Sequence, residues 1–171
     1  MGATLGKTSI MTVSLDEFSG GMRKLAASVT VITTHHGGVD YGLTASAVTS
    51  LSAEPPSLLA CVHRDGSAFD PISKAQKFCV NILAQGQSNI STAFAMDEPQ
   101  DRFNTGEWSR SPAGLPRLTG AAASFDCEIM DILPGFSHGV FVGLITDICV
   151  SEANALLYAD GEYGHFNLRK L

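Results

Sequence analysis

No stretch of the 171-residue sequence stays apolar over the roughly 20 residues that a membrane-spanning helix needs. The opening MGATLGKTSIMTVS also lacks the apolar core of a secretory signal, so a cytoplasmic protein is expected. No GxGxxG follows a strand-like run, which argues against a Rossmann nucleotide site. There is no GxSxG, no HExxH and no cysteine beside an obvious base, so nothing supports nucleophilic or zinc-protease chemistry. Lys plus Arg is 11 against 17 Asp plus Glu, a net charge of −6 with no basic run. That leaves no electrostatic footprint for nucleic acid or an anionic membrane. An anionic ligand would have to be held by a local device, such as one arginine or a cluster of backbone N–H groups.

What remains is a globular composition, with 44% apolar and 16% charged residues. The length suits one domain that buries roughly two-thirds of its unfolded surface. We read residues 1–13 as an arm and 14–171 as the domain. The four cysteines, Cys61, Cys79, Cys127 and Cys149, form no CxxC and have no histidine at finger-like spacing. They are expected to be reduced, buried and inert.

Ser14 opens a capping box with Glu17, and Leu15, Phe18, Met22, Leu25 and Ala26 follow at helical spacing, which predicts a helix over 15–27. Val29 to Thr34 is β-branched throughout, and Gly37-Gly38 is turn chemistry. Residues 41–51 read as a second strand of small side chains, stopped by Pro55-Pro56. Further strands are expected at 58–63, 78–83, 122–133 and 140–150, the last two joined by a hairpin turn at Pro134-Gly135. Helices are expected at 68–76 and 87–96. Residues 97–120 read as a long surface excursion. A short terminal hairpin turns at Asp160-Gly161 in type I′ geometry. Strands before and after the helices, without strict alternation, predict an α+β fold built on an antiparallel barrel.

Four segments carry candidate chemistry. Residues 42–52 combine small side chains with five hydroxyls, either a floor for a flat ligand or an edge strand with hydroxyls toward solvent. After the third strand, His63-Arg64-Asp65-Gly66-Ser67 offers a fixed charge, with Ser67 placed to cap the following helix. His138 stands at the mouth of an apolar strand, where a structural role competes with a chemical one. The pair His35-His36 looks metal-like, but adjacent strand residues face opposite sides, so no metal site is expected.

In order along the chain, these segments resemble the flavin reductase-like family, the small reductase components of two-component flavin-dependent monooxygenases. The resemblance rests on Ala27 to Thr33, on Gly42-Leu43-Thr44-Ala45-Ser46 with Ser50 and Ser52, and on Pro55-Pro56. It continues in Phe78-Cys79-Val80-Asn81-Ile82-Leu83, similar to an F-x-V-N-x-L strand, and in His138 to Gly143, similar to a G-D-H-x-x-x-x-G strand. Leu157 to Gly164 is similar to a closing L-Y-x-x-G-x-Y-G hairpin. One position departs from the pattern, with Ser137 where the family has Asp before the histidine.

The resemblance implies a six-stranded antiparallel split β-barrel of Greek-key type with flanking helices, forming a homodimer. It implies an enzyme that reduces FMN or FAD with NADH or NADPH and supplies reduced flavin to a partner monooxygenase. Leu43, Thr44, Ala45, Ser46, Ser50, Cys61, Val62, His63 and Arg64 would line the flavin, with Arg64 and Ser67 at its phosphate. His138, the single catalytic candidate, would flank the nicotinamide together with Tyr163 and Gly164. Two alternatives remain at this point: a pyridoxamine-phosphate oxidase-like enzyme, and a non-catalytic flavin- or haem-binding module on a similar barrel.

Overall fold

The computed structural model describes residues 13–166. The expected arm at 1–13 lies, save for Val13, outside the described residues, as do residues 167–171. The capping box forms as expected. Ser14 Oγ accepts from the Glu17 amide at 3.2 Å, and Glu17 Oε2 accepts from the Ser14 amide at 2.9 Å. The helix it starts, α1 (Leu15–Met22), ends well short of residue 27. The reason lies downstream, where Ala27 and Ser28 form strand β1 (Ala27–Ser28) against the C-terminal hairpin.

Strands β2 (Thr30–His36) and β3 (Val39–Ala45) make a hairpin through Gly37 and Gly38, whose φ values of 60° and 81° suit a two-residue turn. The chain then forms β4 (Val48–Ala53), β5 (Pro56–His63), α2 (Phe69–Ala75), β6 (Lys77–Ile82) and α3 (Ser88–Met96). Residues 97–120 hold a 3-10 turn (Arg102–Asn104), β7 (Trp108–Arg110) and β8 (Pro116–Leu118). Two 13-residue strands, β9 (Ala123–Gly135) and β10 (His138–Val150), precede the closing hairpin of β11 (Leu157–Ala159) and β12 (Glu162–Gly164).

The fold is α+β, with three helices and a mostly antiparallel sheet, as expected. The main sheet has seven strands in the order β3-β2-β6-β9-β10-β5-β4. The stretch expected as one strand over 41–51 is two strands with a corner at Ser46-Ala47, which is where the extra strand arises. Small side chains let the backbone bend there without a glycine or proline to mark the place. That corner also shapes the sheet. β3 and β4 are its two edges, yet only two residues separate Ala45 from Val48, a reach of about 10 Å. The sheet must therefore curl until its edges converge at this corner.

One core lies within the curl, where Phe141 packs edge-on to Phe69 and Phe78 at 5.3 and 6.2 Å between ring centroids. A Cβ on Gly143 would come within 2.7 Å of the Phe78 ring, so glycine is required for this packing. A second core lies beneath α3, built from Val31, Leu83, Ile90, Phe94 and Leu118.

The 97–120 segment, expected as a surface excursion, is partly built into that second core. Phe94, Phe103 and Trp108 form a ring cluster with centroids 5.0–5.2 Å apart. Buried Asn81 accepts from the Leu118 amide at 3.0 Å and from Ser124 Oγ at 2.9 Å, and donates to Val31 O at 3.1 Å. Thr33 Oγ1 donates to Pro116 O. Arg117 pairs with fully buried Asp126 at 3.1 Å and with Asp147 at 2.6 Å. Buried backbone and charge must find partners; these contacts hold β8 and give the Arg117 charge two carboxylates, although Arg117 Nε and the Asp126 carboxylate oxygens make no hydrogen bond.

Three further expectations change. The β9–β10 turn is Phe136-Ser137, with Phe136 at φ 58°, because Gly135 still pairs with His138 and so belongs to the ladder. Helix α2 is capped by Ala68 without a side-chain bond, so Ser67 does not cap it. Cys79 and Cys127 are buried, and burial followed by the Asp126 charge pushes the Cys127 thiol up to about 12. Cys61, however, is only half-buried and Cys149 is exposed. β10 outruns β5 beyond Leu144, leaving Cys149 paired with β9 alone. At the terminal hairpin, Asp160 and Gly161 have φ values of 56° and 89°, the signs a type I′ turn requires.

Candidate functional site

The β3–β4 corner opens on a cavity of about 660 Å³, in the size range of small-molecule and cofactor sites. Ser46, Val48, Ser50 and Cys61 line it together with Val80 and Phe125. A lining that combines hydroxyls and a thiol with apolar side chains suits a flat heteroaromatic ring. A second space of about 250 Å³ lies on the α3 side of β3, lined by Thr44, Ala45, Ser46, Ser91, Tyr158 and Tyr163. Ser46 belongs to both.

Not every hydroxyl of the segment is free. Thr44 Oγ1 donates to Ser91 O at 2.7 Å, fastening β3 to α3. Thr30 Oγ1 donates to Ala45 O at 2.7 Å, which holds the last residue before the corner. Leu43 turns its side chain to the core. Ser46 and Ser50 both line the cavity, which keeps the ligand-floor reading for the corner itself. Tyr163 Oη donates to Ser91 Oγ at 3.0 Å, and its ring meets Tyr158 at 5.5 Å. This pins the terminal hairpin over β3 and places Tyr163 beside Thr44, Ala45 and Ser46. Gly164 sits opposite Leu157 in the hairpin ladder.

A second group gathers where β5 meets the start of β10. The His63 and His138 rings approach edge-to-face at 4.9 Å. Ser137 Oγ lies 2.9 Å from His138 Nδ1, so the hydroxyl that replaces the family carboxylate does contact the imidazole. Arg64 donates from Nε to His138 O at 3.2 Å, with its guanidinium 5.5 Å from the Phe69 ring centroid. Val62 is buried, so it can offer a ligand only its backbone.

Ser67 keeps different company. Its hydroxyl accepts from Arg102 Nη1 at 3.3 Å, and the same nitrogen donates to Gly42 O at 2.7 Å. Sequence reasoning missed Arg102, which lies 35 and 60 residues from these partners. It also missed Ser91 and Tyr158. A tyrosine pair spaced across a hairpin was the available signal for Tyr158; Ser91, inside a helix, gave none. Among the described residues, no hydrogen bond or ring contact joins His138 to Tyr163 within one chain.

The chain matches the model of the flavin reductase like domain over residues 22–167. It is 40% identical over 160 residues to the FMN reductase (NADH) RutF of Acinetobacter baylyi, covering 92% of this chain and 85% of that protein. Its fold is similar to a putative flavin reductase from Haemophilus somnus, with a TM-score of 0.87 and 35% identity, covering 90% of this chain and all of that one. It is also similar to a nitrilotriacetate monooxygenase component B homologue from Mycobacterium thermoresistibile, at TM-score 0.84 and 30% identity, covering 88% and 86% of the two chains.

Proposed function

The chain belongs to the flavin reductase-like family, and from that premise we propose that it reduces FMN with NADH and passes the reduced flavin to a partner oxygenase. The observation that carries this reading for the chain's own residues is the cavity at the β3–β4 corner, lined by Ser46, Ser50 and Cys61 among apolar side chains. Bound flavin and nicotinamide would supply the hydride-transfer chemistry, and the chain's residues would have to hold the two rings against each other.

The protein's task is to bind, stack and orient. Small residues at Ala45 to Ala47 let a ring approach the backbone, while Ser46, Ser50 and Cys61 meet its polar edge. Leu43 and Thr44 set the strand beneath it. The backbone of Val62 and the side chains of His63 and Arg64 border the ribityl chain, and Ser67 marks the phosphate end. His138 positions the nicotinamide carboxamide, held by Ser137 and His63, with Tyr163 and Gly164 closing over the other side. No residue need act as an obligatory acid or base.

His138 and Tyr163 stand apart in one chain, which suits a homodimer in which a site draws on both copies. The curled seven-strand sheet supports a split barrel whose six principal strands leave the corner open. A partner oxygenase is supported by the company this fold keeps: one similar structure is a homologue of a monooxygenase component. A site with few charged anchors suits a flavin that leaves after reduction.

The test mixes the purified protein with NADH and either FMN or FAD, and follows the loss of nicotinamide absorbance. Flavin-dependent NADH oxidation, faster with FMN, is the expected result. NADH that stays intact with both flavins would reduce the protein to a binding module.

A further inference from the structure

Among the described residues, Phe136 is the most exposed of the large apolar side chains, at 103%. It also stands where a phenyl ring is least at home. Phe136 has a φ of 58° while Ser137 stays negative, and Gly135 pairs with His138 on either side of them. Those are the signs of a type II′ turn, whose first central position glycine fills without strain. A bulky residue in that region is an outlier that its surroundings impose. The fold gains no packing in return, because the ring lies wholly in solvent.

The turn that displays the ring is fixed, and Arg64 fixes it together with His138. The Arg64 amide donates to Ser137 O at 2.9 Å, and Arg64 Nε donates to His138 O at 3.2 Å. His138 stands opposite His63 in the ladder between β10 and β5. Cys61 and His63, two residues apart on β5, share a face, and Cys61 lines the corner cavity. The step from Cys61 to His63 is about 7 Å at strand rise, and the Phe136-Ser137 turn comes next. The cavity wall, the histidine pair and the exposed phenyl thus follow one another in that order.

We propose that Phe136 stacks on the adenine ring of NADH. This rests on the flavin reductase reading above and deepens it, by assigning the half of the dinucleotide that does no chemistry. With the nicotinamide between His138 and the cavity, the remainder of the dinucleotide leaves on the far side of His138, where the turn stands. Stacking on a base needs an aromatic face and no hydrogen-bond partner, which is all that Phe136 offers. A ring meant only to dock another protein would gain nothing from being tied, through Arg64, to the residue that positions the nicotinamide.

The experiment measures kcat and KM for NADH and for reduced nicotinamide mononucleotide, which lacks the adenosine phosphate half. It compares the wild type, Phe136→Gly and Phe136→Tyr at saturating FMN, with a urea midpoint for each. The wild type is expected to prefer NADH. Phe136→Gly is expected to lose about tenfold of that preference through KM for NADH, the scale of one base stacked on an aromatic ring. Its urea midpoint should hold or rise, because glycine relieves the turn, so the loss cannot be laid to a damaged fold. Phe136→Tyr keeps the ring face and should keep the preference.

A wild-type KM for NADH in Phe136→Gly would overturn the proposal. So would an equal rise in KM for both donors, which would move the ring to the nicotinamide half. A lowered urea midpoint would overturn it too, by showing that the phenyl packs against protein. A wild type that oxidises neither donor with either flavin overturns the proposed function, and this role with it. One that oxidises NADH and prefers it no more than the mononucleotide overturns the role of Phe136 alone.

Discussion

His138 holds its imidazole between two neighbours of different kinds, the Ser137 hydroxyl at 2.9 Å and the His63 ring at 4.9 Å. Neither is charged by necessity, so the contact orients the ring more than it polarises it. Replacing His138 by Ala should raise KM for NADH about tenfold, the scale of one lost hydrogen bond, and leave the FMN dissociation constant unchanged. Steady-state kinetics paired with a flavin titration checks both halves. The cysteines give a second residue-scale outcome, since the thiolate is the reactive species. Burial pushes the thiols of Cys79 and Cys127 far above neutrality, so a disulfide reagent should reach them only on unfolding. Cys149 should react at once, and Cys61, on the cavity wall, should react more slowly and be shielded by FMN. Mass mapping of the labelled peptides decides it; a Cys61 labelled equally with and without FMN would place the ring elsewhere. At this scale, the candidates legible in the sequence were those carried by local motifs, such as Ser46, His138 and Tyr163. Arg102 was not legible because its partners come from distant segments, and nothing in Asp101-Arg102-Phe103 announces where the side chain will reach.

The elements that position the site are held by close backbone approach. At Gly42, a Cβ would stand 2.5 Å from the Phe94 ring and 3.2 Å from Ile32 O. Phe94 is buried against Phe103 and Trp108 and has nowhere to turn. Gly42→Ala should therefore cost about 1–3 kcal/mol through overpacking, read as a lower urea midpoint at unchanged slope. The turn end of the same hairpin is tied differently. Asp40 accepts both terminal nitrogens of Arg110 at 2.7 and 2.8 Å, and lies 2.6 Å from His35 Nδ1, linking the β2–β3 turn to β7. Partial burial raises the Asp40 pKa, but the hydrogen bonds and charges of Arg110 and His35 together outweigh it, and the net shift is downward. A carboxyl with a lowered folded-state pKa stabilises above its ordinary value near 3.8 and loses that contribution as pH falls through the lowered one. Asp40→Asn should thus be less stable than wild type at pH 7, and the gap should shrink in acid. Urea unfolding at neutral and acid pH tests it, and a gap that is constant with pH would contradict the ion pair's role. Periodicity made most of these elements readable, as with the β-branched run of β2. It failed at residues 41–51, where the corner consists of the same small residues as its flanks. The hydrophobic pattern there does not change phase until Ser46 and Ala47 have bent the chain.

For the whole molecule, the unresolved imbalance is apolar surface and open sheet edge. Leu51 on β4, Met130 on β9, and Ile148 and Val150 on β10 are each at least 50% exposed. Among the described residues, β3 and β4 have no partner strand on their outer sides. Exposed apolar patches mark interaction sites, and open edges are normally covered or blunted. A second copy would cover part of this surface and wall the corner cavity that one chain leaves open. With a net charge of −6 on each copy, electrostatic repulsion opposes association and salt screens it. Such a pairing would have to be apolar, and added salt should strengthen it. Sedimentation should give a species of two 18.0 kDa chains, and dilution should lower NADH oxidation in step with dissociation. Val150→Asp, which puts a charge on an exposed strand residue, should shift the equilibrium toward single chains. If that variant sediments as a monomer yet reduces FMN at the full wild-type rate, one chain makes a complete site, and His138 and Tyr163 do not act across two copies.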